Sequence, residues 1–248
     1  VCSIAVITAV SLIGILVFRA DVSLLLVFIA FLIFYVMLPG VLIIGTLGIR
    51  AAHLSTDLVR CFFTGFALNI LLYYLNVLTG ADLLLLITGP VLSVLCIVRF
   101  VRSRPQNIAG RVREVFADTP ASFFIFAALV FLYSALTTQY TYIAPDSSAF
   151  SYIKLDFAYH AGVVNALTDS YPPLDPWVDG LSIHYHFFTE MLMSIPAKLF
   201  GLPPEEIIMS GTPYLVAPVL STSLYSFFRE FSGRSERAGL YCLAFHLS

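Results

Sequence analysis

Apolar runs of membrane-spanning length, parted by short polar breaks, set the plan of this chain. A helix that crosses a bilayer takes roughly 20 mostly apolar residues, and helical backbone satisfies its own amides in hydrocarbon. On that measure the sequence predicts spans at about 1–18, 22–47, 61–78, 83–98 and 121–143. Arg19 and Asp21 mark a tight turn, Pro39-Gly40 a kink in the second span, and Thr79-Gly80-Ala81-Asp82 a short hairpin. A sixth, shorter apolar element at 183–200 carries His184, His186, Glu190 and Lys198. Gly201-Leu202-Pro203-Pro204 breaks it. Glu205-Glu206 then open a seventh span to about 228, acids being favoured at a helix N-terminus.

Between the fifth span and the sixth element the pattern changes. Ile153, Phe157, Ala161 and Val164 recur at helical spacing and make one apolar stripe. Tyr152, Asp156 and His160 recur four apart on a neighbouring face. A two-faced helix just outside a span is expected to lie along the membrane surface. Pro172, Pro173 and Pro176 then stiffen Tyr171 to Trp177 into a non-helical strap. Its Tyr171 and Trp177 rings suit the headgroup layer. As structure, the strap is a loop anchored on the headgroups; as function, it could wall a groove for a lipid-linked substrate.

Composition settles the class. The 248 residues are 59% hydrophobic and 11% charged, with mean hydropathy +0.93, where a soluble domain carries roughly 25% charged residues. The expectation is an all-α polytopic membrane protein. A net charge of -2, with no basic face interleaved with aromatics, speaks against a nucleic-acid partner. Cys2, Cys61, Cys96 and Cys242 all fall in apolar stretches without metal-ligand spacing, as packing residues do. The start at Val1 and the stop at Ser248, inside an apolar stretch, are expected of a piece of a longer protein.

Charge orients the spans. Arg99, Arg102, Arg104, Arg111 and Arg113 make 99–120 the most basic segment, which the positive-inside rule places in the cytoplasm. Counting back, the Thr79–Asp82 hairpin falls outside and Arg50 and Arg60 inside. Counting forward, 144–183 is extracytoplasmic and acidic, with Asp146, Asp156, Asp169, Asp175 and Asp179 against Lys154. The chain thus divides into a four-span region at 1–98, the basic loop at 99–120, and a region from 121 to 248. Arg229, Arg234 and Arg237 raise a conflict. They lie outside if the sixth element crosses fully, and inside if it only dips in.

The candidate chemistry lies in 144–190. Asp156 and His160 are neighbours on a helix, and three roles fit them: an interfacial hydrogen-bonded pair, two ligands of a divalent metal, or a general base with its orienter. His184 and His186 point about 200° apart on a helix, so they do not readily share a metal, whereas His186 and Glu190, four apart, could. Ionisable groups at the edge of an apolar zone are costly and so are functional candidates.

The motifs DFAYH and YPPLDPWVDGLSIHYHFF resemble the first extracytoplasmic loop of the GT-C superfamily of multi-pass membrane glycosyltransferases. They are closest to the YYY-type family of uncharacterised prokaryotic membrane proteins. The likeness rests on Pro172, Pro173, Asp175, Pro176, Trp177, Gly180 and Tyr185, on Asp156 and His160 as D-x-x-x-H, and on KLFGLPPEE from Lys198 to Glu206. It covers about 121–237; His184 and His186 stand where that pattern has tyrosines.

The resemblance implies a GT-C-like helical bundle with an interfacial helix in its extracytoplasmic loop and a sixth element that crosses fully. It implies transfer of a sugar from a polyprenyl-phosphate donor at the outer face of the cell membrane. Asp156 would be the catalytic acid, Asp146 its competitor, and His160 a partner. Lys154, Asp175, Trp177, His184, Tyr185, His186 and Glu190 would line the substrate site, with Lys154, His160 and His186 near the donor phosphate. Membrane lipid and the lipid-linked donor are the partners so implied. Two other readings remain: a transporter or flippase with Asn69, Asn76 and the histidines lining a path, and a non-catalytic assembly protein.

Overall fold

The computed structural model describes residues 22–49, 54–103, 119–143, 151–183, 187–208 and 212–247. The expected first span at 1–18 lies outside them, as do Arg104, Arg111 and Arg113 of the basic loop. The described elements are α1 (Val22–Phe31), a π-helical stretch (Leu32–Met37), α2 (Leu38–Thr46), α3 (Leu54–Thr79) and α4 (Asp82–Ser103). After them come α5 (Ala121–Ile143), α6 (Ser151–Asp169), α7 (Phe188–Phe200), one helical turn at Pro204–Glu206, α8 (Thr212–Ser232) and α9 (Ser235–Leu247). Among the described residues three stretches are long and apolar enough to cross a membrane: Ser23–Thr46, Ser55–Thr79 and Asp82–Arg102. This is an all-α polytopic membrane protein.

The first of these spans is continuous through Pro39, and the π-helical stretch is how it manages that. Proline has no N–H to give the carbonyls one turn back. Those carbonyls are taken up from neighbouring helices: Asn69 Nδ2 on α3 donates to Tyr35 O at 2.7 Å, and Ser93 Oγ on α4 donates to Phe34 O. Asn69 also donates to Gly65 O at 2.8 Å. The sequence suggests a kink at Pro39-Gly40; the structure spreads the irregularity into a wide turn held from both sides. Close approach is bought with glycine: a Cβ on Gly40 would strike Cys61 O, and one on Gly65 would strike Val36 O.

These contacts give the bundle its direction. Gly40 meets Cys61 and Tyr35 meets Asn69, so α1–α2 runs antiparallel to α3. Tyr35 Oη donates to Leu86 O at 3.0 Å and Arg99 Nη2 donates to Gly45 O at 2.8 Å, so α4 runs parallel to α1–α2. One end of the bundle therefore carries Arg60 and Arg99, and the other carries Thr79 and Asp82. At the arginine end, Thr56 Oγ1 donates to Glu230 Oε1 at 3.2 Å, bringing the last turns of α8 there. Arg229 lies in those turns and Arg234 and Arg237 follow them, so these arginines share the end that carries Arg60 and Arg99. A second core of Phe126, Val130, Tyr225, Ala238 and Cys242 joins α5, α8 and α9.

The reason lies in α7. Its 13 residues rise about 20 Å, short of the roughly 30 Å hydrocarbon thickness. Glu190 through Ala197 are all buried, so the middle of the helix is wrapped by protein on every side. Gly201, at φ 65°, turns the chain back at its end. The full crossing expected of this element does not occur. Of the seventh run, Pro204–Glu206 is helical and α8 is described from Thr212, and 209–211 lie outside the described residues.

Replacing Asn69 by Leu should destabilise the protein by about 1–3 kcal/mol, by leaving a buried carbonyl short of a donor. Pro39→Ala returns an N–H to that turn, so the same change should cost less in a Pro39→Ala background. Thermal unfolding in detergent of both single variants and the double variant measures the coupling.

Candidate functional site

Two helices and the strap between them cover the Asp82 end of the bundle. The stripe foreseen on α6 faces inward: Ala161 and Val164, with Val163 and Leu167, share one core with Met191, Leu192 and Ile195 of α7. Tyr73 Oη on α3 donates to Leu167 O at 2.6 Å, and the Tyr74 and Tyr171 hydroxyls lie 2.8 Å apart. Tyr74, Tyr171 and Phe187 stack edge to face along this seam. At the far side Lys198 Nζ lies 2.9 Å from Asp82 Oδ1 and donates to Asn76 Oδ1 at 3.3 Å. Asn76 Nδ2 donates to the same Asp82 oxygen at 2.9 Å.

His160 is the centre of the charged group. Its Nδ1–H donates to Glu190 Oε1 at 2.5 Å, and its Nε2 lies 3.6 Å from Asp156 Oδ1. Asp156 and His160 thus do share a face, as their spacing predicts. Glu190, in the first turn of α7, is the partner that sequence spacing missed, because it was matched with His186 four residues before it. The hydrogen bond to Glu190 raises the His160 pKa; burial opposes this, and the charges of Glu190 and Asp156 add to it. The imidazole is thus held between two carboxylates. Glu190 is buried, whereas the Asp156 side chain is 73% exposed.

The strap folds into a small hairpin on α6. Leu174 pairs with Ser182, Asp175 N–H donates to Leu181 O at 2.7 Å, and Ile183 N–H donates to Pro173 O at 2.9 Å. Asp175 is a turn former: its Oδ1 accepts the N–H groups of Trp177 at 2.8 Å and Val178 at 3.1 Å. The Trp177 ring packs edge-on against Tyr159, 5.0 Å between centroids. Pro176 lies over Gly162, where a Cβ would come within 2.6 Å of the proline ring.

Of the other candidates, Asp146, His184, Tyr185 and His186 lie outside the described residues. Lys154 falls in the first turn of α6, and its side chain lies outside the described part. Among the described residues no three His, Cys, Asp or Glu converge to hold a metal ion. In the Asp156–His160–Glu190 group the imidazole stands between the carboxylates, so its donors face one another rather than a common point.

A family model described as uncharacterized membrane protein, DUF2298, matches residues 64–240. No curated protein and no solved structure matches the chain.

Two outcomes test this geometry. The folded-state pKa of His160 lies above its unfolded value, so its contribution is complete below about pH 6.5 and lost as pH rises through the raised pKa. His160→Gln should therefore flatten the dependence of Tm on pH above 6.5, in a detergent melting series. Gly162→Val should lift Pro176 and free the hairpin, read as faster proteolysis between Tyr171 and Ser182 with the bundle intact.

Proposed function

The chain belongs to the DUF2298 family of uncharacterized membrane proteins, and we propose that it serves as a GT-C-like glycosyltransferase, moving a sugar from a polyprenyl-phosphate donor to an acceptor outside the cytoplasmic membrane. One observation carries this reading. Asp156 stands exposed on a platform at the bundle end opposite Arg60 and Arg99, beside a histidine that a buried carboxylate locks in place. The positive-inside rule puts the arginine end in the cytoplasm, and so the platform outside.

In this mechanism the acceptor hydroxyl attacks the anomeric carbon and the carbon–oxygen bond to the donor phosphate breaks. Asp156 takes the hydroxyl proton, and polyprenyl phosphate leaves. His160 orients Asp156 and offers positive charge to the departing phosphate. Glu190 fixes the imidazole through Nδ1, the role an orienting carboxylate plays for a histidine at other sites. The resemblance of the D-x-x-x-H and Pro-Pro-Leu-Asp-Pro-Trp motifs to GT-C loops agrees with this assignment.

A transporter would need polar side chains along a path through the spans. Asn69 and Asn76, the residues suited to line one, are both committed to bonds within the fold. A non-catalytic assembly role is an outcome of the same test.

In a strain deleted for the gene and complemented with variants, Asp156→Asn should lower glycan transfer about 10²–10⁴-fold, the usual worth of a general base. Expression and membrane insertion should be unchanged. Wild-type surface glycans in that strain would remove Asp156 from the chemistry, and unchanged glycans in the deletion itself would favour the assembly role.

A further inference from the structure

The hairpin over α6 has two faces of opposite character. Pro173 and Ile183 point into the core and are buried. Leu174, Trp177, Val178 and Leu181 point away from it and are exposed, Trp177 to 58%. Exposed apolar residues are ordinary on the flanks of a membrane span. Gathered on a short non-helical loop, they mark a surface that something covers.

The root of the hairpin shows what that is. Tyr171 is hydrogen-bonded to Tyr74, five residues before Thr79 at the end of the span, which is about 7 Å below that end at 1.5 Å per residue. Tyr74 stands on α3 between Leu71 and Leu78, at i−3 and i+4, and both are exposed on the lipid-facing flank. The hairpin thus starts inside the span's own depth and continues the surface that lipid already wets.

Part of its backbone is already paired within the protein. Amides that meet lipid must find partners within the protein. Here Asp175 Oδ1 takes the N–H groups of Trp177 and Val178, and the hairpin's own carbonyls take those of Asp175, Leu181 and Ile183. Pro172, Pro173 and Pro176 have no N–H to satisfy. Asp179, exposed at the tip, is too costly for hydrocarbon and stops the insertion at the headgroup boundary.

We infer that the Leu174–Ser182 hairpin is a membrane wedge, seated in the headgroup and upper acyl layer of the bilayer that the bundle spans, and that its occupant is bulk phospholipid. This goes beyond the proposed transfer reaction and does not depend on it. By gripping Gly162 and Tyr159, the wedge holds the face of α6 that carries His160 at a set height over the lipid.

The chain's single tryptophan is the wedge's own reporter. Full-length protein, with any tryptophan outside these residues replaced by Phe, would be reconstituted in phosphatidylethanolamine–phosphatidylglycerol vesicles, with Trp177→Phe as background. Lipids brominated high on the acyl chain should quench the Trp177 signal at least twofold, and aqueous iodide should quench it several-fold less than free tryptophan. Val178→Asp with Leu181→Asp, which leaves Trp177 in place, should reverse the two. Quenching by iodide but not by bromolipid in the native sequence would overturn the inference. Shielding from both would also overturn it, by assigning the face to protein. Bromolipid quenching that falls on adding polyprenyl phosphate would replace bulk lipid by the prenyl chain.

Discussion

A peptide group facing hydrocarbon without a partner costs several kcal/mol, and the bundle is arranged around meeting that demand where proline interrupts it. Pro39 withholds an N–H from the first described span, and the turn before it widens. Asn69 and Ser93 reach across from α3 and α4 to the exposed carbonyls. These bonds fix the register of α1–α2 against both neighbours. With the glycine contacts at Gly40 and Gly65 they bring three apolar helices close, where lipid itself provides no hydrophobic drive to pack them. The positions of Asp82 and Arg99 at opposite ends of the bundle follow from that register.

On the Asp82 end, the platform is held at three kinds of joint. Tyrosine hydroxyls of α3 seize the last turn of α6 and the start of the strap. Lys198 bridges to Asp82 and Asn76. His160 ties α6 to α7 through Glu190. The first two set where the platform sits, and the third sets how its helices face each other. Only the third varies with pH in the neutral range, because imidazole is the group that changes charge there.

Much of this was legible in the residues. Apolar run length placed the spans on α1–α2 and α4 to within a few positions, since hydrocarbon thickness admits few alternatives. The α5 helix begins and ends where its run does, and α3 begins at Leu54, well before the start expected at Cys61. The α6 helix and its Asp156–His160 pair followed from a spacing of four. What could not be read was long-range. Glu190 lies 30 residues from His160, and local spacing offered His186 instead. The turn that Asp175 Oδ1 makes with the Trp177 and Val178 N–H groups was not foreseen either. The sixth element is apolar, and the resemblance to GT-C proteins implied that it crosses. Burial by protein and burial by lipid demand the same residues, and 13 helical residues tell them apart only once the turn at Gly201 is seen.

That short helix has a consequence for how the chain can change. A transmembrane segment counts toward the parity of the topology, so losing or gaining one inverts everything after it. The α7 segment leaves the platform end and returns to it, and contributes nothing to that parity. Insertions or deletions around Gly201 can reshape the floor under His160 without turning α8 and α9 over in the membrane. The fold thus sets this short buried element beside Asp156 and His160, uncoupled from the count that fixes which way the protein faces.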